Sequence, residues 1–350
     1  MTRRERTGGK RRAEPAAERP EGRVIAVTGT REFLGAGLVA RCQADPSCAA
    51  VLAVDAPAVL AADKTRALEI DIARPGADVR LADAFASAGV DTVVHAAFRP
   101  VPTHQIEAMH ELESIGTMNV LAACESTSVS TLVVWSQTFL YGARPDNPAL
   151  LPESSPLRAP RDSAFTRDKL EAEKQVAAFA ARVERCRVVV LRTAPIVGPN
   201  AVGIIPALVR HTLVPVAAGF DPLLQVVHLY DVLDAFKLAV DGNHAGPFNI
   251  VAEGVLPVTT AVLVAGRLPL PIPPGALRRL LDALWAVRAS EASAPFVDYL
   301  MYPCVADGSR AAREMGFRPT YSTQEALAHH AHHAGRAGSR PPPAAEGQAR

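Results

Sequence analysis

The stretch Val24-Ile25-Ala26-Val27-Thr28-Gly29-Thr30-Arg31-Glu32-Phe33-Leu34-Gly35 decides the fold of this 350-residue chain. An apolar, β-favouring run passes straight into Thr28-Gly29, and a helical pattern begins at Leu34. A glycine directly after a strand and another at the head of a helix let backbone approach a pyrophosphate. The unpaired N–H groups and positive dipole end of the helix would then hold the phosphate charge. A second apolar run ends at Asp55, 20 residues after Gly35, where a carboxylate can accept both hydroxyls of an adenosine ribose. The same carboxylate would repel a 2′-phosphate, and Ala56-Pro57 supplies no arginine, so NAD is expected rather than NADP. The competing reading of Asp55 is a carboxylate that caps the next turn.

Outward from this loop the chain alternates short β-branched runs with helical patterns. Strands are expected at Val24–Thr28, Val51–Asp55, Ala67–Asp71, Thr92–Ala96, Thr131–Ser136 and Arg187–Arg192. Helices are expected at Leu34–Cys42, Ile106–Cys124 and Ser163–Arg182. Apolar strands separated by helices imply a doubly wound α/β fold, a parallel Rossmann-type sheet with helices on both faces. After Arg192 the pattern breaks into shorter, proline-rich pieces that suit a smaller C-terminal lobe, with a last helix from Thr323. The expected organisation is a cofactor-binding core over 23–192 and a substrate lobe over 193–334, of which 226–250 returns to the core. Residues 1–22 carry seven Lys/Arg, four Glu and no Val, Ile, Leu or aromatic, which cannot offset their ordering entropy and reads as a disordered basic arm. Residues 335–350 read as a disordered tail.

Composition removes several classes. Thirty-seven Lys+Arg against 36 Asp+Glu leave a net charge of +1, so no nucleic-acid partner is expected. Few of the cations are Lys and Ala is abundant, which points to a GC-rich bacterial genome. Five scattered cysteines without a CxxC argue against a disulfide scaffold and for a reducing cytoplasm. No run is long and apolar enough to span a membrane; Ala201–Phe220 contains Arg210, His211 and two prolines. His329, His330, His332 and His333 have no interleaved carboxylate or thiol, so a polar helix end is preferred and no metal site is expected.

The arrangement resembles the extended short-chain dehydrogenase/reductase family, the NAD-dependent epimerase/dehydratase group. The resemblance extends through Asp71-Ile72, Val93-Val94-His95-Ala96-Ala97, Asn119-Val120-Leu121, Leu132–Gly142 with its Tyr141-Gly142 turn, Leu191–Pro199 and Val227–Val232, and covers about 23–330. It implies cofactor contacts from Gly29, Thr30, Glu32, Phe33, Leu34, Gly35, Asp55, Asp71, Ile72, His95, Ala96, Ala97 and Lys169. It also implies a mechanism. A tyrosine hydroxyl acts as general acid/base, a lysine four residues on lowers its pKa and binds the nicotinamide ribose, and a Ser or Thr orients the reacting oxygen.

The working positions depart from that pattern. Lys169 is present, but the tyrosine position is Phe165, and no other tyrosine has a lysine at i+4. The Ser/Thr position is Gln137, with Ser136 beside it; the middle glycine of the phosphate loop is Glu32; the usual Asn is Glu113. Gln137 can donate an N–H to an oxyanion, whereas Phe165 exchanges no proton. General acid/base help is worth about 10²–10⁴ in rate, so another group would have to move the proton, and Tyr141, Glu113 and His228 are the candidates, against the blander readings that Tyr141 packs in its turn and His228 caps the strand before Asp231. Glu32 also repels phosphates unless it pairs with Arg31 or another cation.

Two readings follow: an NAD-dependent oxidoreductase or epimerase with a degenerate site, or a non-catalytic NAD(H)- or ligand-binding regulatory protein. The partner is a small-molecule substrate or ligand. Leu268–Ala289, with Trp285 and repeated Leu, suits a hydrophobic ligand or a membrane-surface contact, against the blander reading of a helix packed on the core. The resemblance also implies a homodimer through Ile106–Cys124 and Ser163–Arg182.

Overall fold

The computed structural model describes residues 22–55, 62–290 and 292–337. The expected arm over 1–22, apart from Gly22, lies outside the described residues, as do Ala56-Pro57 and most of the tail over 335–350. The chain runs β1 (Arg23–Thr28), α1 (Phe33–Ala44), β2 (Cys48–Val54), β3 (Thr65–Leu68), α2 (Ala77–Ala88), β4 (Thr92–His95), α3 (Ile106–His110), a π-helical turn (Glu111–Ile115), α4 (Gly116–Ser126), β5 (Thr131–Gln137), α5 (Ala164–Arg182) and β6 (Arg187–Thr193). Shorter pieces follow: β7 (Ile196–Val197), α6 (Ile204–Leu208), β8 (Leu213–Ala217), β9 (Leu223–Leu224), β10 (Val227–His228), α7 (Leu229–Asp241), β11 (Gly246–Ile250), β12 (Leu256–Pro257), α8 (Val258–Val264), β13 (Leu268–Ile272), α9 (Pro274–Ala286) and α10 (Thr323–Ala337).

Seven strands form one parallel sheet in the order β11-β6-β5-β4-β1-β2-β3. A parallel sheet leaves both faces apolar and must be covered twice. One layer is α2, α4 and α5, packed side by side; in the other α1 meets α7. Gly37 of α1 permits that second contact, because a Cβ there would already lie 3.3 Å from Leu233. Buried Val232, Phe236 and Ala239 form the inward stripe of α7. The doubly wound α/β expectation holds, and β11 adds a seventh strand beside β6.

Four local expectations need correction. The third strand ends at Leu68 rather than Asp71, because Asp71 bends the chain: its carboxylate accepts from the Ala73 N–H at 3.0 Å. Ile106–Cys124 is not one regular helix; the π-helical turn interrupts it, and the Gly116 N–H reaches back five residues to the Glu111 carbonyl. Leu268–Ala289 begins as a strand, with β13 paired in parallel to β8. Pro269 and Pro271 bar a helix there, and α9 starts only after Pro273. His228 caps no strand: its Nδ1 accepts from the Tyr230 N–H at the start of α7.

His95 ties the sheet to the helix layer. Its Nδ1 lies 2.7 Å from Thr28 Oγ1 on β1, and its Nε2 lies 2.9 Å from Thr117 Oγ1 on α4. The Thr117 hydroxyl spends its proton on the Glu113 carbonyl at 2.5 Å, so it can only accept from His95. The imidazole is therefore the neutral Nε2–H tautomer, with Thr28 donating to Nδ1. Burial lowers its pKa to about 3, while the unfolded chain takes up that proton near pH ~6.5. Between those values the unfolded state holds the extra proton, so stability falls as pH drops, by up to about 1.4 kcal/mol per pH unit. Urea unfolding at about pH 7, 6 and 5 should show this slope, and His95→Asn should flatten it.

Candidate active site

The carboxyl ends of β1, β2 and β4 converge on the phosphate-type loop. Gly29 has φ +75°, and a Cβ on it would lie 2.5 Å from the Ala96 carbonyl. A Cβ on Gly35 would lie 2.2 Å from the Gly29 carbonyl. Both glycines are thus required by close backbone approach. Thr30 Oγ1 donates to the Val54 carbonyl at 2.8 Å and locks the loop to the end of β2. The loop is bracketed on that side by Asp55, which sits in the left-handed region at φ 61°, a conformation that aspartate tolerates better than most residues. Arg31 Nε donates to Asp55 Oδ1 and to its carbonyl, both at 3.0 Å.

Glu32 begins α1, yet its side chain caps no helix N–H. Arg31 being occupied by Asp55, the carboxylate of Glu32 pairs instead with Arg99 Nη1 at 3.0 Å. Phe33 is partly buried against the main core and Leu34 fully buried in it. Ile72 is buried, its carbonyl accepts from Asn119 Nδ2 at 2.8 Å, and Gly116 leaves room for its side chain. Asp71 is exposed and engages Arg74 at 3.2 Å.

A second cluster forms where α5 faces the π-helical turn. Lys169 Nζ lies 2.7 Å from Glu113 Oε1, and both side chains are almost wholly buried, at 4% and 0% exposure. Arg99 joins them through its backbone: its N–H donates to Glu113 Oε1 at 2.7 Å and its carbonyl accepts from Lys169 Nζ at 2.9 Å. The ammonium also stands 4.4 Å from the Phe165 ring centroid and 5.4 Å from that of Phe98. Burial pushes the Lys169 pKa down and the Glu113 pKa up, and each charge opposes the shift of the other. Glu113 Oε2 is buried without a partner.

Phe165 does not stand alone at its position. It stacks on Phe139 at 5.6 Å and meets Phe296 at 6.0 Å, within an apolar cluster that includes Met109 and Tyr299. Ser136 points away from it: its hydroxyl donates to Glu173, which is clamped by Arg192 at 2.7 Å. Gln137 lines a small hollow together with Lys169 and Phe98, and its Oε1 is buried without a partner. Of the three candidate proton carriers, only Glu113 reaches Lys169. The Tyr141 hydroxyl donates to Asn249 Oδ1 at 2.7 Å and accepts from Arg192 at 3.0 Å. His228 Nε2 lies 3.0 Å from His329 Nδ1, midway along α10.

Gln137 and Phe139 also belong to a cavity of about 900 Å³, whose far walls come from α6, β8, α8 and α9. Arg99 is the residue of this region that sequence reading missed. Its position directly after the His95-Ala96-Ala97-Phe98 run was the available signal, but its role depends on backbone geometry that no side-chain pattern encodes.

Residues 25–251 match the family described as NAD dependent epimerase/dehydratase. A relative that is 34% identical over 311 residues, 87% of this chain and 82% of the relative, is an uncharacterized protein of Mycobacterium tuberculosis (strain ATCC 25618 / H37Rv). Among solved structures, UDP-glucose 4-epimerase of Thermotoga maritima with UDP-glucose superposes at TM-score 0.67 with 18% identity, covering 89% of this chain and 99% of that one. dTDP-glucose 4,6-dehydratase of Bacillus anthracis in complex with NAD gives TM-score 0.69 with 14% identity, covering 90% and 97%. The parallel sheet, the glycine loop after β1 and the lysine on α5 define an extended short-chain dehydrogenase/reductase. The chain belongs to the NAD-dependent epimerase/dehydratase family.

Removing one member of the Lys169–Glu113 pair strands a buried charge. Lys169→Met or Glu113→Gln should each cost about 3–5 kcal/mol in urea unfolding. Lys169→Met combined with Glu113→Leu should recover most of that loss, because a matched apolar pair leaves no charge to solvate.

Proposed function

We propose that the chain binds NAD(H) over the carboxyl ends of β1, β2 and β4 and acts as an oxidoreductase or epimerase with a reassigned proton-transfer group. The close approach of Gly35 to the Gly29 carbonyl carries the cofactor reading. It holds the loop tightly enough for the N–H groups at the head of α1 to meet a pyrophosphate. Glu32 opposes an anion, and Arg99 pairs with it. Asp55 would hold the adenosine ribose and Lys169 the nicotinamide ribose, and the Asp55 carboxylate favours NAD over NADP. NAD, when bound, supplies the hydride acceptor.

This chain's residues then have to orient a substrate oxygen and move its proton. Gln137 can accept from an alcohol or donate to a carbonyl, so it suits both oxidation states. Glu113 Oε2, buried, partnerless and with a pKa raised by its surroundings, is the acceptor for the alcohol proton. Lys169 keeps the other carboxylate oxygen in place. A second reading, a non-catalytic NAD(H)-binding regulator, is supported by the complete burial of Glu113 and the diversion of Ser136 to Glu173.

Calorimetric titration with the four nicotinamide dinucleotides tests the cofactor reading. NAD(H) should bind in the micromolar range, and Asp55→Ala should raise Kd about tenfold, a loss of roughly 1.4 kcal/mol. No binding at millimolar concentration would overturn both readings. With binding established, Glu113→Gln should abolish turnover, and dinucleotide binding by the same preparation checks that the folded site persists. Absence of turnover in the unaltered protein, with a gain in Phe165→Tyr, would assign the regulator.

A further inference from the structure

The cavity of about 900 Å³ lies toward the large end of the roughly 300–1,000 Å³ range of small-molecule sites. Its walls include Ile205, Leu208, Val262, Leu281, Leu284 and Phe296. Among the described residues that line it there is no Asp, Glu, Asn or Lys. Its cations, Arg210, His211 and Arg288, all sit at exposed positions, so charge is confined to the rim.

Several polar groups along the wall are already committed to the protein. Gln225 donates to the Ala252 carbonyl and accepts from the Ala306 N–H. The Tyr299 hydroxyl donates to the Phe139 carbonyl at 2.7 Å, and Ser290 Oγ donates to the Ala292 carbonyl at 2.8 Å. Gln137 differs, because its half-buried side chain lines the cavity and makes no hydrogen bond to the protein. An amide left unmet on an apolar wall is unfavourable, and a ligand oxygen meeting it would supply the missing hydrogen bond. A nucleotide sugar, by contrast, would bring many hydroxyls against a largely apolar wall.

We propose that this cavity binds a mostly hydrocarbon alcohol or ketone of terpenoid size, with its single oxygen held by the Gln137 amide. That the ligand is also the substrate rests on the NAD reading above; its binding does not. The amide serves as acceptor for the alcohol and donor for the ketone, so one residue recognises both ends of a redox pair.

The test uses the full chain without dinucleotide and retinol as a fluorescent probe. Saturable binding in the micromolar range, undisturbed by millimolar UDP-glucose, is the expected result. Gln137→Leu should raise the retinol Kd about tenfold while leaving that of diphenylhexatriene, a hydrocarbon without oxygen, nearly unchanged. Val202→Glu adds a charge at a cavity-lining side chain that is 45% exposed, where folding is not at risk, and should weaken both probes. Displacement of retinol by UDP-glucose, failure to saturate, or equal binding to both variants would overturn the proposal. Loss of dinucleotide binding alone would leave it standing, whereas dinucleotide binding accompanied by UDP-glucose saturation would remove only this inference.

Discussion

The contact between Lys169 and Glu113 constrains everything around it, because two charges have been taken out of water together. Neither can be left alone in that position, so the backbone of Arg99, the turn carrying Glu113 and the first turns of α5 must stay in register. Arg99 then does three things at once. Its N–H and carbonyl complete the coordination of the pair, and its guanidinium reaches across to Glu32 on the phosphate-type loop. A deviation from the family pattern in the loop and another in the helix are thereby joined through one residue.

The aromatic cluster around Phe165 follows from the same constraint. A buried ammonium still needs electron density beyond one carboxylate and one carbonyl, and the faces of Phe165 and Phe98 supply it. Phenylalanine there is not simply a tyrosine without its oxygen. It is a packing partner for Phe139 and Phe296 and a roof over the lysine. Its ring backs Phe139 and Phe296, which line the large cavity, so one side chain supports both the lysine and that wall.

Much of the sheet was legible because parallel strands buried on both faces leave continuous Val-rich runs, and because Gly29 and Gly35 mark where backbone crowds backbone. Lys169, Glu113 and Phe165 were legible as positions, from spacing alone. Their partnership was not, since residues 56 apart in sequence meet only through a turn that no propensity announces. Leu268–Ala289 misled for a different reason. Leucines recur there at helical spacing, yet Pro269 and Pro271 dictate an extended backbone, and rigid φ angles outweigh hydrophobic periodicity. Asp71 likewise read as a strand end until its carboxylate was seen to seed a turn.

The π-helical turn at Glu111–Ile115 amounts to one residue more than a regular helix would use over the same span. The Glu113 carbonyl within it accepts from the Thr117 hydroxyl, which is in turn met by His95. Deleting a single residue here would let the helix close into an ordinary α-helical ladder, and propensity alone would favour it. Every side chain upstream would then rotate by about 100° relative to α4, carrying the 113 position off the lysine. The segment is therefore a point at which one codon separates two different site chemistries on an unchanged sheet.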